Sequence, residues 1–176
     1  MIKEFCIHAK PQNKKARYAF FASLGSAMIV CAVYLLVDKY KSLVGIGVMT
    51  FITAAIYIYN RYIGSEYYYE ITADHIGTPV FVVRQKIGKR ESTLCRIDLG
   101  SIVKIDKMTA AEKKKHMSDK DVMRYVYCPT MMPDTVYLLT VRSHNEKADI
   151  FIEATDEMAE VISSYAEQIR TQDTEY

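Results

Sequence analysis

Two apolar stretches near the N-terminus constrain this chain more than any other feature. Tyr18 to Val37 carries no charge, and neither does Ser42 to Asn60. As a helix rising about 1.5 Å per residue, each is long enough to cross about 30 Å of bilayer hydrocarbon. A soluble helix of that length would show a polar stripe every third or fourth position. Apart from Asn60 at the exit, these stretches are interrupted only by Ser, Thr, Cys, Gly and Tyr. Asp38-Lys39-Tyr40-Lys41 separates them and is too short for anything but an antiparallel turn. The expectation is a transmembrane helical hairpin over residues 18–63, with its tip at 38–41.

The flanking side chains agree with this. Tyr18, Phe20 and Phe21 open the first span, Tyr34 and Tyr40 approach the tip, and Tyr57, Tyr59 and Tyr62 lie at the exit. Aromatic rings favour the headgroup boundary. Small residues recur every fourth position at Ser23, Ala27 and Cys31, and at Thr50 and Ala54, which suggests the faces on which the helices pack. Lys3, Lys10, Lys14, Lys15 and Arg17 precede the first span and Arg61 follows the second, against Lys39 and Lys41 at the tip. That excess places both termini in the cytoplasm of a cytoplasmic-membrane protein. A cleaved signal peptide fits poorly, because the apolar run is too long, no small-x-small site follows, and a second span comes at once. Ile29-Val30 before Cys31 also argues against lipoprotein acylation.

The rest of the 176 residues reads differently. Net charge is +6 up to Ile63 and −4 from Glu66 onward, consistent with +2 overall. A mildly acidic domain argues against nucleic acid as a partner, since phosphate binding needs a basic footprint. Beyond Glu66 the apolar period becomes that of strands. Expected strands are residues 67–72, 79–84, 93–98 and 101–106, then, after a long polar connection over 107–120, residues 121–128, 135–142 and 148–153. Tyr69, Ile71, Cys95, Ile97, Val103, Ile105, Ile150 and Ile152 are expected to face inward. The N-terminal segment 1–17 includes a loosely alternating stretch, Ile2 to His8, that suits a short strand.

Thr155 is a candidate helix cap with Asp156 and Glu157 behind it. Met158, Val161, Ile162, Tyr165 and Ile169 then form one apolar stripe. The domain is expected to span 66–171, with the chain fraying after Arg170 into a polar tail over 172–176. The fold class is α+β: a transmembrane hairpin, then a seven-stranded antiparallel barrel closed by a C-terminal helix.

With two spans ahead of them, the segments YYYEITADHIG, CRIDLGSIVKIDK and VYLLTVRSHNEKADIFIEA resemble bacterial PH-like membrane proteins of the YcxB-like kind, from about residue 14 to 170. That resemblance implies a PH-type barrel and a membrane-anchored, non-enzymatic cytoplasmic module. It carries no catalytic residues, and no cofactor.

Enzymatic signatures are absent from the sequence itself. The four histidines are scattered, the four cysteines form no CxxC pair, and there is no P-loop or GxGxxG. Asp98 and Asp106 flank the Gly100 turn without a partner base. Three binding features remain. Lys113, Lys114 and Lys115, with His116, form a basic loop suited to anionic lipid headgroups, or simply a solvated loop offset by Glu112, Asp119 and Asp121. Lys86, Lys89 and Arg90 mark a second basic turn, whereas the first hairpin loop, TADHIGTP, has no Lys or Arg. Met123, Tyr125 and Tyr127 alternate on an expected edge strand beside the C-terminal helix, where a peptide can add as a strand or where the three side chains simply fill the core. The leading functional expectation is a protein-interaction module at the bilayer surface, and the second is an anionic-lipid sensor.

Overall fold

A computed structural model describes residues 5–9, 14–36, 41–116, 122–143 and 146–174. The expected tip at 38–41 falls outside the described residues except for Lys41, as do Lys10 and residues 175–176. The architecture is α+β, with two long apolar helices and two four-stranded sheets.

The helices α1 (Lys14–Leu36) and α2 (Lys41–Ile58) pack on each other. Their contact is made through Ser23, whose hydroxyl donates to the Phe51 carbonyl at 2.8 Å, and through buried Ala27 and Ala55. Gly47 approaches Val30 closely. The expected small face of α1 is therefore used at Ser23 and Ala27, while Cys31 is exposed. On α2 the packing face differs from expectation. Thr50 and Ala54 line an outward groove, and the Thr50 hydroxyl bonds back to Ile46 of its own helix. Both helices are long and apolar enough to span a membrane. Met28, Ile29, Ile46 and Met49 are each about two-thirds exposed (70%, 69%, 66% and 67%), the reverse of a soluble core helix.

A π-helical turn, Tyr59–Ile63, carries α2 into the first sheet. The sheet is formed by β1 (Phe5–Ala9), β2 (Ser65–Ala73), β3 (Pro79–Ile87) and β4 (Arg90–Asp98), in that order and all antiparallel. The N-terminal strand, expected over Ile2 to His8, is present as β1. It belongs to the domain rather than to a separate segment: Cys6 lies opposite Glu70 and Ala9 opposite Tyr67. A strand before the hairpin thus pairs with a strand after it.

The second sheet holds β5 (Ile102–Thr109), β6 (Met123–Val126), β7 (Thr135–Ser143) and β8 (Glu146–Ile152), in the order β5-β7-β8-β6. Here the structure departs from a seven-stranded antiparallel barrel. Among the described residues no strand of one sheet pairs with a strand of the other, and β6 runs parallel to β8. The segment between β6 and β7, which includes Pro129 and Pro133, carries the chain past β8. Within the expected 107–120 connection, residues 107–116 form regular structure, and 117–120 fall outside the described residues. Strand β5 continues through Thr109, and α3 (Ala110–His116) follows. Thr109 and Glu112 form a capping box, with the Thr109 amide donating to the Glu112 carboxylate at 2.8 Å and the Glu112 amide to the Thr109 hydroxyl at 3.4 Å. A register shift between Ile102 and Lys104 turns Val103 outward, against expectation, and buries Ile102.

The core lies between the sheets. Tyr67, Tyr69 and Ile71 of β2, Phe81 and Val83 of β3, Ile97 and Leu99 meet Leu139, Ile150 and Ile152. Helix α4 (Asp156–Thr174) closes one end with Met158, Ile162 and Ala166, and it passes so close to the Leu99–Ser101 turn that a Cβ on Gly100 would stand 3.0 Å from Ile169. The helix does not fray at Arg170, because no Gly or Pro stops it before Thr174. Tyr69 joins the sheets through its hydroxyl, which donates to the Tyr127 carbonyl at 2.8 Å and accepts from the Glu153 amide at 3.2 Å. Tyr69→Phe keeps the ring and orphans two partly buried backbone groups. It should cost about 1–3 kcal/mol in detergent-solubilised protein, read as a lower unfolding midpoint.

Candidate functional site

The register of the strands gives the domain two ends. Strand β2 leaves α2 through the π-turn at Ser65 and runs nine residues, or about 30 Å, to Ala73. The end near the helices therefore includes Ser65, Ala9 of β1, and the β3–β4 turn at Gly88-Lys89, since Ser65 lies opposite Ile87 and Ile87 opposite Arg90. The β2–β3 turn, TADHIGTP, lies at the far end.

The second sheet is fixed at the same near end by two basic side chains. Arg61 donates from its guanidinium to the Val126 carbonyl at 2.6 Å, with the rings of Tyr67 at 5.2 Å and Tyr62 at 5.8 Å. Lys15 donates to the Met132 carbonyl at 3.3 Å and pairs with Asp134 at 3.4 Å. Lys14 and Arg17 are exposed beside it. Residues expected to set topology by charge alone thus divide: Arg61 and Lys15 tie helix to domain, and Lys14 and Arg17 remain at the surface.

The basic segment also divides. Lys113 lies back over the second sheet, 5.4 Å from the Phe151 ring and 3.9 Å from the Cys128 sulfur. His116 Nε2 stands 2.6 Å from the carboxylate of Asp149, which is buried. Only Lys114 and Lys115 point to solvent. Helix α3 starts at the near end, where the Ala110 amide meets the Asp134 carbonyl at 3.2 Å, and climbs to the middle of β8 at Asp149. Its exposed lysines therefore sit on the flank of the domain.

Met123 and Tyr125 are exposed on β6, a sheet edge, and Tyr127 is half-buried beyond it. Tyr125 and Tyr127 stack with centroids 6.2 Å apart. The Tyr127 hydroxyl donates to the Leu94 carbonyl at 3.3 Å, and burial pushes its pKa up to about 12. This edge is not beside α4, as expected, because α4 packs on the Leu99–Ser101 turn and β5, at the opposite side of the sheet. Instead β6 faces the open edge of β4 across a groove of about 690 Å³, lined by Leu94, Arg96, Asp98, Tyr125, Tyr127 and Arg142 among others.

The remaining reactive groups have ordinary partners. Burial pushes the Cys128 thiol up to about 11, far from a nucleophile's range. Asp98 accepts from the Gly100 amide, while Asp106 pairs with Lys104, so these two carboxylates do not work together. Asp74 is lowered by the His75 backbone amide above all, then by the His75 ring and Arg96. Among the described residues no group of three His, Cys, Asp or Glu is placed to hold a metal ion.

No family model matches the chain, and no curated protein or solved structure does either. The capping box of α3 was legible as TAAE ahead of the lysines, but the role of Arg61 had no local signature.

Asp156, at the start of α4, gives the domain a pH dependence. Its carboxyl is held below the ordinary 3.8 by the hydrogen bond from Lys107 and then by that from Tyr137. A lowered carboxylate stabilises the fold above its unfolded value and loses that contribution as pH falls through the folded one. Lys107→Met should therefore lower stability near pH 7, where that contribution is fully present, and shift the acid-unfolding midpoint upward in pH, measured by circular dichroism.

Proposed function

We propose that this chain is a membrane-anchored, non-catalytic module of the PH-like kind, held at the cytoplasmic face of a bilayer and built to receive a protein partner. The observation that carries the reading is the β1–β2 pair. If α1 and α2 each cross a bilayer, the strand pairing on either side of them requires both flanks on one face, which agrees with the basic residues at 14, 15, 17 and 61. The exposed apolar surface of both helices supports insertion. Confinement to a surface raises the effective concentration of the domain for partners in the same membrane.

The partner surface in this reading is the groove between β4 and β6. Two sheet edges open on it, and an extended segment can pair with the β4 backbone while its alternate side chains meet Tyr125 and Tyr127. Arg96 is paired with Asp74 at 2.5 Å, so Arg142 is the rim cation that would meet an acidic residue on the strand. A photo-crosslinking phenylalanine analogue at Tyr125 of the full chain, in its native membrane, should give a discrete adduct that weakens in the Arg142→Glu background. Equal, diffuse labelling from Tyr125 and from Ile76 at the far turn would refute the assignment.

A further inference from the structure

The β3–β4 turn combines three properties. It is at the helix-proximal end, because Ile87 lies opposite Ser65, and Ser65 follows Gly64, which ends the π-turn leaving α2. It is apolar at its tip, with Ile87 exposed at 42%. It is also basic around that tip: Lys86 is half-buried, and Lys89 and Arg90 are exposed. Glu91, the next acidic residue, is taken by Arg84 at 3.1 Å, and Glu66 accepts from the Tyr68 hydroxyl at 2.9 Å. Gly88 adopts a φ of 60°, which allows a two-residue turn that projects Ile87 and Lys89 from a rigid ladder.

An exposed aliphatic residue among cations suits the boundary of a bilayer, where the apolar group enters the acyl region and the cations meet phosphate. Met132, exposed at 61%, adds a second apolar group at the same end, since its carbonyl is held by Lys15 at the first turn of α1. By contrast the TADHIGTP turn is a full strand length away and lacks Lys and Arg, and Lys114 and Lys115 sit on the flank.

From this placement we infer that the Ile87-Gly88-Lys89-Arg90 turn, supported by Met132, is a second membrane contact that seats the domain on anionic headgroups of the bilayer its own helices cross. With the helices as the first attachment, this contact fixes the tilt of the domain and the direction in which the β4–β6 groove faces. The inference rests on the membrane reading proposed above.

The chain contains no tryptophan, so one introduced residue reports on its own surroundings. Full-length Ile87→Trp and Ile76→Trp proteins would be reconstituted into vesicles of phosphatidylcholine with phosphatidylglycerol and read by brominated-lipid quenching. The Trp at position 87 should be quenched and blue-shifted, and the Trp at position 76 should not. Replacing Lys89 and Arg90 with alanine in the Ile87→Trp chain should lower the ratio of seated to unseated tips by roughly fivefold per cation, and added salt should do the same. Protein that resists alkaline extraction while its Trp at 87 is as water-exposed as that at 76 overturns the second contact and leaves the anchor standing. Protein that washes off the vesicles overturns both. Equal quenching in pure phosphatidylcholine overturns the anionic specificity.

Discussion

One charged side chain at the end of α2 joins the helices to both sheets. Arg61 gives a hydrogen bond to the Val126 carbonyl and stands over the ring of Tyr67, so it touches the second sheet and the first strand after the helices at once. A guanidinium is suited to this, because it holds a flat stack and a directed, charge-assisted bond in one geometry, where an ammonium would satisfy only one of them. Lys15 adds a tie from α1 to the second sheet's connection at Met132 and Asp134, and the β1–β2 ladder closes the third side. Helices and domain are therefore joined through several short links rather than through a flexible tether.

That rigidity gives direction to the domain. The near end presents Ile87, Lys89, Arg90 and Met132, the far end presents the uncharged-to-acidic TADHIGTP turn, and the flank carries Lys114 and Lys115. A groove between β4 and β6 opens sideways between these ends. In the proposed reading, the protein works by holding that groove at a set height and angle over a lipid surface. The thiol of Cys128 and the hydroxyl of Tyr127 are both shifted upward by burial, away from reactive ionised forms.

Local pattern made much of the fold legible. The two apolar helices, the alternation of Tyr67, Tyr69 and Ile71, the turn at Gly88 and the Thr155 cap all follow from spacing within a few residues. What was not legible depends on long-range pairing. Nothing in Met123–Val126 says that it will lie parallel to β8 rather than form a hairpin with β7, and nothing in Ile102-Val103-Lys104 announces the bulge that reverses Val103. The candidate site followed the same division. Lys113 looked like its neighbours in sequence, yet the docking of α3 on Phe151 commits it to the sheet and leaves Lys114 and Lys115 free of that contact. The basic turn at 86–90 gains meaning only from the register that sets Ile87 opposite Ser65.

Whether α1 and α2 lie in lipid can be read from nitroxide accessibility along α2. Spin labels placed in turn at Ile46, Met49, Ile52 and Ile56 of the reconstituted full chain would be read for collision with oxygen, which concentrates in hydrocarbon, and with a water-soluble nickel chelate. For a span of about 30 Å, oxygen access should be highest in the middle of the helix, with the chelate excluded throughout. Free access of the chelate to all four positions would contradict it.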